Sequence, residues 1–327
     1  MATLTDDLAG EYRALKQGCG LIDRSERGKL ALTGTERKSF LAGQVTNDIE
    51  GLAAGHGCYA AFLTHKGKML GDLRVLDVED DGGDQPAPAL LLDTGRATLQ
   101  ALFDLVRRFK IGYDVELHKR TVQRGLLSLA GPGARAIAGA EAVPVDEHFH
   151  RPGEIAGHRV RLIATDLGID VLCEADATED VRAALVAAGA RPVSEDAAEI
   201  LRVESGRPRY GVDVDDATIP QEAGLNARAV SFTKGCYVGQ ETVARLFYRG
   251  KPNRHLRGLR LSEPVAPGAE LRLGEKVVGK LTSSLVSPTL GPIALALVRR
   301  EAAPGDTVEV AGGASAELVE LPFAVSD

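Results

Sequence analysis

Between Gly28 and Gly189 the sequence runs twice through the same alternation of patterns, and this repetition limits the folds open to it. "GKLALTG" (28–34), "CYAAFLT" (58–64), "MLGDLRVLDV" (69–78) and "ALLLD" (89–93) are apolar runs of strand length bounded by turn residues. "HKGK" between the second and third makes them a hairpin, and Thr35 is placed to cap a helix through "ERKSFLAG". From Gly95 the period changes. Leu99, Leu102, Phe103, Val106 and Phe109 fall at helical spacing toward a core and leave Gln100, Asp104, Arg107 and Arg108 outward. The second round begins with "YDVEL" and "QRGLLSLAG" as strands. "PGARAIAG" follows with proline at a helix start, then "RVRLIAT" and "IDVLCEA" as strands, and "TEDVRAALVAAG" as a helix closed by Gly189. The pattern predicts two α+β units of related build, each a sheet with helices on one face. It does not fix strand order. The acidic "EDDGGDQPAP" (79–88) is expected to be a mobile loop.

"SEDAAEILRVESG" (194–206) reads as a helix capped by Ser194, with Ala197, Ile200 and Leu201 toward the core and its end near Gly206. A long polar segment follows, "RPRYGVDVDDATIPQEAGLNARAVSFTKGCYVGQE", anchored by Tyr210, Val212, Ile219, Leu225 and Phe232. Irregular segments this long are uncommon in compact domains and are usually functional or disordered. The anchors favour an ordered, functional one. After residue 250 six short strands alternate with proline and glycine turns, from "HLRGLRL" to "AELVEL", which describes a small barrel or sandwich.

The composition narrows the functions. Aromatics are 4% of 327 residues and tryptophan is absent, so the core must be aliphatic. The net charge of −7 argues against a duplex-DNA binder, which usually carries a basic face. The first residues have neither the basic nor the apolar region of a signal peptide. The longest apolar runs, such as "IALALV", fall far short of the ~20 residues a membrane span needs. A cytoplasmic protein is expected. Cys19, Cys58, Cys173 and Cys236 show no CxxC spacing, which excludes the common local zinc and iron–sulfur motifs. No glycine-rich phosphate loop occurs. "DEHFH" (146–150) places two histidines one residue apart, as a metal site or as a polar loop before Pro152. No other histidine pattern supports the metal, and none is expected. "RLFYRGKPNRHLRGLR" (245–260) is basic with Phe247 and Tyr248 interleaved, either an anion- or partner-binding surface or a solvated linker and first barrel strand.

Two single residues draw chemistry. Cys236 sits in "KGCYVGQE", between glycines, where the backbone can approach another group closely and a core segment would be poor. Lys234 is near enough in sequence to promote its thiolate if the turn folds back. Glu204 falls near a helix C-terminus, where the dipole disfavours a carboxylate. It is either a surface partner of Arg207 or Arg209, or an acceptor for a flat paired-donor edge such as that of a pterin.

Together "GLIDRSERGKLALTGTERKSFLAGQVTND", "KGKML", "RVESGRPRYGVDVDDATIPQEAGL", "VSFTKGCYVGQETVAR" and "GKLTSSLVSPTLGPIALALVRRE" resemble the YgfZ-type folate-binding proteins, relatives of the glycine-cleavage T-protein, an aminomethyltransferase. The resemblance runs from about Gly20 to Val310, and the K-G-C-Y-x-G-Q-E element is its most specific part. It implies an α+β fold of three lobes around a central folate channel, with residues 1–245 forming two α+β lobes and residues 246–327 a β-barrel. The implied cofactor is tetrahydrofolate. The implied role is as an accessory factor for iron–sulfur cluster assembly or maintenance, with iron–sulfur client or assembly proteins as partners through Arg245 to Arg260. Glu204 matches the glutamate that T-proteins place on the pterin. Asp93 stands near a position where they use a folate-contacting asparagine. The resemblance further implies cofactor contacts from Lys66, Lys68, Tyr210, Lys234 and Gln240, and reactive roles for Cys236 and Asp72. T-proteins carry two aspartates where this chain reads Gly71-Asp72. One acid near the folate amine gives less stabilisation of developing positive charge, so aminomethyl transfer is the alternative function rather than the first.

Overall fold

The apolar runs read as strands all pair in the computed structural model, which describes residues 5–79 and 87–324. Most of the acidic stretch at 79–88 lies outside the described residues. Chain contacts divide the protein into two units. One holds Arg13–Val193 and Ala227–Gln240; the other holds Met1–Tyr12, Ser194–Asn226 and Glu241–Asp327. No helix among the described residues is long and apolar enough to cross a membrane.

After helix α1 (Asp6–Gln17), the first unit opens with β1 (Gly20–Asp23). Then come β2 (Gly28–Thr33), α2 (Arg37–Ala42), β3 (Gly57–Leu63), β4 (Met69–Val78), β5 (Ala89–Thr94), α3 (Leu99–Phe109) and β6 (Glu116–Lys119). These strands, without β1, form a sheet in the order β3-β4-β5-β2-β6. The second set is β7 (Arg124–Ala130), α4 (Ala134–Ile137), β8 (His150–Ile155), β9 (His158–Ala164), β10 (Gly168–Glu174), α5 (Thr178–Ala187) and β11 (Arg191–Pro192). Its sheet runs β8-β9-β10-β7-β1-β11. Strand for strand this is the order of the first sheet, with β1 inserted beside β7. The two related α+β units are therefore one topology used twice.

The period-2 alternation of each strand sorts its side chains. On β4, Leu73 and Val75 join Leu30, Leu32, Phe40, Phe62, Leu90, Leu92 and Leu102 in an aliphatic core beneath α2 and α3. The same strand turns Asp72, Arg74, Leu76 and Val78 to its other face. There Ala31, Leu76, Val78, Ala89 and Leu91 meet Ile163 and Leu172 of the six-stranded sheet. That sheet buries its own core of Leu127, Leu129, Val160, Leu162, Ile169 and Val171 against Val181 and Leu185 of α5. Each such side chain removed from water contributes about 1.5–3 kcal/mol.

Some local expectations fail for identifiable reasons. Thr35 does not cap α2; its hydroxyl and amide both donate to Asp114, and Glu36 takes the cap position while its carboxylate accepts the Asp114 amide rather than a helix N–H. Phe109 is 45% exposed because Leu105 takes the inward position on α3. Asp146, Glu147, His148 and Phe149 form the turn of the polar-loop reading, and only at His150 does edge strand β8 begin, an edge that tolerates Pro152.

In the second unit, α6 (Glu195–Glu204) has the predicted Ser194 cap, whose hydroxyl accepts from the Ala197 amide, and Gly206 follows at φ 66°. Two helices interrupt the long polar segment: α7 (Asn226–Ala229) and α8 (Gln240–Arg249). The last six strands are β12 (Arg254–Leu261), β13 (Glu270–Leu273), β14 (Lys276–Ser287), β15 (Gly291–Arg299), β16 (Thr307–Val310) and β17 (Ala314–Val319). They close into a barrel in the order β12-β15-β14-β13-β16-β17 around Leu259, Leu271, Leu281, Ala294, Ala296, Val308 and Leu318. Closure leaves no sheet edge exposed.

Candidate functional site

Glu204 ends α6 one helical turn beyond Ile200, so it shares the buried face and is only 9% exposed. Its Oε1 accepts hydrogen bonds from the hydroxyls of Tyr12 (2.9 Å), Ser287 (2.5 Å) and Thr289 (3.3 Å). These donors offset the unfavourable helix end and anchor Oε1. Burial pushes the Tyr12 phenol up to about 12, so it stays a donor at neutral pH. Arg209, one partner offered by the surface reading of Glu204, bonds Glu199 instead at 2.6 Å.

The loop after α6 is tied down by another acid that the sequence did not flag. Asp213 accepts from Arg202 (2.7 Å), the Arg209 amide (2.9 Å), Thr282 (2.7 Å) and Ser283 (2.7 Å), joining the loop to β14. Tyr210, half-buried, lies in this loop and forms a single bridge with Val214. Farther on, Arg254 clasps Glu222 through two nitrogens, at 3.1 and 3.0 Å.

In the two-sheet unit, the charged face of the five-stranded sheet gathers Asp72, Arg74 and Asp93. Asp93 accepts from Arg27 Nε and Arg74, both at 2.8 Å. Arg74 also reaches Asp170 at 2.7 Å, and Asp170 accepts from Ser128 at 2.6 Å. Burial opposes ionisation of Asp93, but Arg27 and Arg74 outweigh it and hold its carboxyl below the usual range. Asp72 has the opposite balance. Burial pushes its carboxyl up, partly offset by the Tyr59 hydroxyl at 2.7 Å and by Arg27. Arg228 lies over the Tyr59 ring at 5.1 Å. Two carboxylates on one face with environments that separate their protonation states form an arrangement suited to acid–base work.

Gly71 bears on the missing second acid. A Cβ there would lie 2.6 Å from the Phe62 ring and 2.8 Å from the Thr98 methyl. Position 71 thus faces the aliphatic core under α3, opposite to Asp72. An acid at 71 on this backbone would be buried among apolar groups, and β4 offers Asp72 alone on the charged face.

The "KGCYVGQE" loop is clamped on both sides of its thiol. Lys234 Nζ donates to the carbonyls of Ala42 (2.6 Å), Val45 (2.8 Å) and Asn47 (2.8 Å). Burial lowers its pKa to about 8. Its charge also acts on Cys58, whose thiol burial nevertheless pushes to about 12. Tyr237 is buried, and the Val238 amide donates to the Gly43 carbonyl. Gly239, at φ 86°, packs where a Cβ would lie 2.6 Å from the Thr64 carbonyl and 3.1 Å from Gly67 Cα. The loop therefore rests on the hairpin turn that carries exposed Lys66 and half-buried Lys68. Gln240 closes it with a backbone bond to the Tyr237 carbonyl and starts α8. Between these anchors Cys236 is exposed.

The remaining sequence candidates sit elsewhere. His150 is buried with its ring nitrogens facing the His56 carbonyl and Arg161. Among the described residues no cluster of histidine, cysteine, aspartate or glutamate could hold a metal ion. In the basic segment, Arg254, Arg257 and Arg260 bond Glu222, Glu320 and the Ala324 carbonyl. Arg245, Arg249 and Lys251 are exposed, as are Phe247 and Tyr248, whose rings pack edge to face at 5.0 Å.

Residues 2–234 match the GCVT N-terminal domain, and residues 254–324 match the glycine cleavage T-protein C-terminal barrel domain. A chloroplastic protein of Arabidopsis thaliana that bears the name "putative transferase" is 30% identical over 321 residues, 95% of this chain and 72% of the relative. Among solved structures, the glycine cleavage system aminomethyltransferase T from Bartonella henselae superposes with a TM-score of 0.84. It is 22% identical, and the match covers 97% of this chain and 89% of that one, so the likeness is one of fold.

Proposed function

Because the chain belongs to the glycine cleavage T-protein family, we propose that it binds tetrahydrofolate and serves iron–sulfur proteins as an accessory factor through Cys236, in the manner of the YgfZ-type proteins. The observation that carries this reading is the exposed thiol on a loop anchored by Lys234, Tyr237, Val238 and Gly239. A packing cysteine would be covered, as Cys19 and Cys173 are. One cysteine supplies one ligand to a cluster that takes four. Cys236 therefore acts by thiol exchange or by ligation shared with a partner. Iron–sulfur client or assembly proteins would separately contact the basic segment Arg245 to Arg260, where Arg245, Phe247, Tyr248 and Arg249 are exposed. A cytoplasmic location belongs to the same proposal.

Glu204 fits the cofactor. A buried carboxylate anchored at Oε1 by three hydroxyls suits the paired N–H donors of a pterin. Tetrahydrofolate would supply one-carbon chemistry when bound. Replacing Glu204 with Gln should weaken tetrahydrofolate binding by ~1–3 kcal/mol, about 5- to 150-fold, because one pterin donor loses its acceptor. Calorimetric titration of both proteins tests this, and equal affinities would remove Glu204 from the site.

A second reading is a folate-dependent one-carbon transferase. It is favoured by Asp72, whose raised pKa and Tyr59 partner suit proton handling. Tetrahydrofolate-dependent ammonia release from an aminomethylated lipoyl carrier, at a rate comparable to a T-protein, would promote it over the first.

A further inference from the structure

Strand β14 changes the face it presents partway along its length. Leu281 pairs with Ala296 of β15 and Ser283 with Leu295, so Thr282 is an extra residue, a β-bulge. Leu281 and Ala296 lie in the barrel core. Beyond the bulge, Ser283, Leu285 and Ser287 stand opposite Leu295, Ile293 and Gly291, on the outer face by alternation with Ala294 and Ala296. Ser283, Leu285 and Ser287 are buried there, and α6 packs on both strands. A one-residue slip beyond Leu281 would turn Ser287 into the barrel and Val286 outward in its place.

Asp213 holds this bulge. Its Oδ1 accepts from the hydroxyls of Thr282 and Ser283, each at 2.7 Å. Its Oδ2 accepts from Arg202 of α6 at 2.7 Å and from the Arg209 amide at 2.9 Å. Arg202 also donates to Ser283 at 2.7 Å and grips Glu199 through two nitrogens. The carboxylate of Asp213 is wholly buried, and its acceptor positions are filled by protein donors. It is therefore built to hold the fold at this point rather than to take a ligand. Two of the three hydroxyls on Glu204 Oε1 come from the stretch it controls. Ser287 ends β14, and Thr289 follows in the turn, where its amide donates to Ser287 Oγ at 3.1 Å.

We propose that Asp213 is a positioning residue for the folate site: by holding the β14 bulge against α6, it places Ser287 and Thr289 on Glu204 Oε1 and so fixes how Glu204 meets the pterin. The proposal rests on Glu204 as the pterin acceptor. Tetrahydrofolate is titrated calorimetrically into full-length wild type, Asp213→Asn, Glu204→Gln and the double variant. Asp213→Asn should weaken binding about tenfold in the wild-type background and less than about twofold beside Glu204→Gln, because the aspartate acts through the glutamate. A residue that only supports the barrel would cost the same in both backgrounds. Asparagine keeps the shape of the side chain but sets an amide group among donors, so thermal melting is measured alongside. If Asp213→Asn fails to fold, Thr282→Val removes one donor to Asp213 and keeps the side-chain shape. Its expected loss is about threefold, again absent beside Glu204→Gln. No binding by wild type overturns the tetrahydrofolate reading and this assignment with it. Wild-type binding that the variants leave unchanged, or equal losses in both backgrounds, overturns the positioning role alone.

Discussion

Changing Asp93 to alanine should lower folding stability by about 3–5 kcal/mol, the cost of breaking a buried ion pair from one side. Asp93 and Arg74 are each 8% exposed. Without the carboxylate, Arg74 and Arg27 face each other across the sheet with a partner lost from each. The damage spreads because Arg74 carries the network to Asp170 and Ser128 of the other sheet. Apolar contact at that junction is limited to a few side chains such as Leu76, Leu91, Ile163 and Leu172. Urea denaturation of wild type and variant measures the difference, and a loss under about 1 kcal/mol would contradict the assignment. The pH dependence has a definite sign. Arg27 and Arg74 depress the folded pKa of Asp93. Its contribution is therefore complete above the unfolded aspartate pKa of about 3.9 and is lost as pH falls through the folded value. Wild type should lose a step of stability in that acid window that Asp93→Ala lacks. Asp72, with its pKa raised, works in the opposite direction, its burial costing stability as pH rises past the unfolded value.

Alkylation of the native protein at pH 8 should modify one thiol, Cys236, at least about a hundredfold faster than the others, because the thiolate is the reacting species and must be accessible. Cys19 and Cys173 are buried, and Cys58 is partly covered. Burial pushes the Cys19 and Cys58 thiols to about 11 and 12 and raises that of Cys173 as well. A thiol with a pKa near 11 is only ~0.1% thiolate at pH 8. Cys236 alone combines exposure with a loop fixed on both sides. Peptide mapping after limited iodoacetamide treatment checks this. Equal labelling of Cys58 would mean that the loop opens and that the thiol is not selectively presented. Cys236→Ser should leave the melting temperature unchanged, since the side chain covers no core.

The fold was legible where periodicity is local. The six barrel strands, the twin α+β units and the Ser194 cap all follow from alternation or from signals a few residues apart. Strand order was not, because β1 pairs with β7 and β11 far along the chain. Helix α8 was hidden by its composition. Its one fully buried side chain is Val243, and its basic and aromatic residues face outward. Helix α1 carried readable marks, with Asp6 and Asp7 in its first turn and Lys16 in its last. Glu204 could be singled out from its place at a helix end, but its hydroxyl partners could not: Tyr12 and Ser287 lie 192 and 83 residues away. The charged junction was equally opaque, since Arg74 and Asp170 are 96 residues apart. Lys234 was expected to serve Cys236 and instead anchors the loop on three carbonyls, a role that depends on where residues 42–47 fold.

In the proposed function, this T-protein fold acts on iron–sulfur proteins through the exposed Cys236 thiol. The most direct measurement is the activity of iron–sulfur enzymes in cells lacking the gene, complemented in parallel with wild type and with Cys236→Ser. Wild type should restore those activities. The serine variant should fail to restore them while it still folds and binds tetrahydrofolate as wild type does. Full rescue by Cys236→Ser, or unimpaired iron–sulfur enzymes in the deleted strain, would contradict the account.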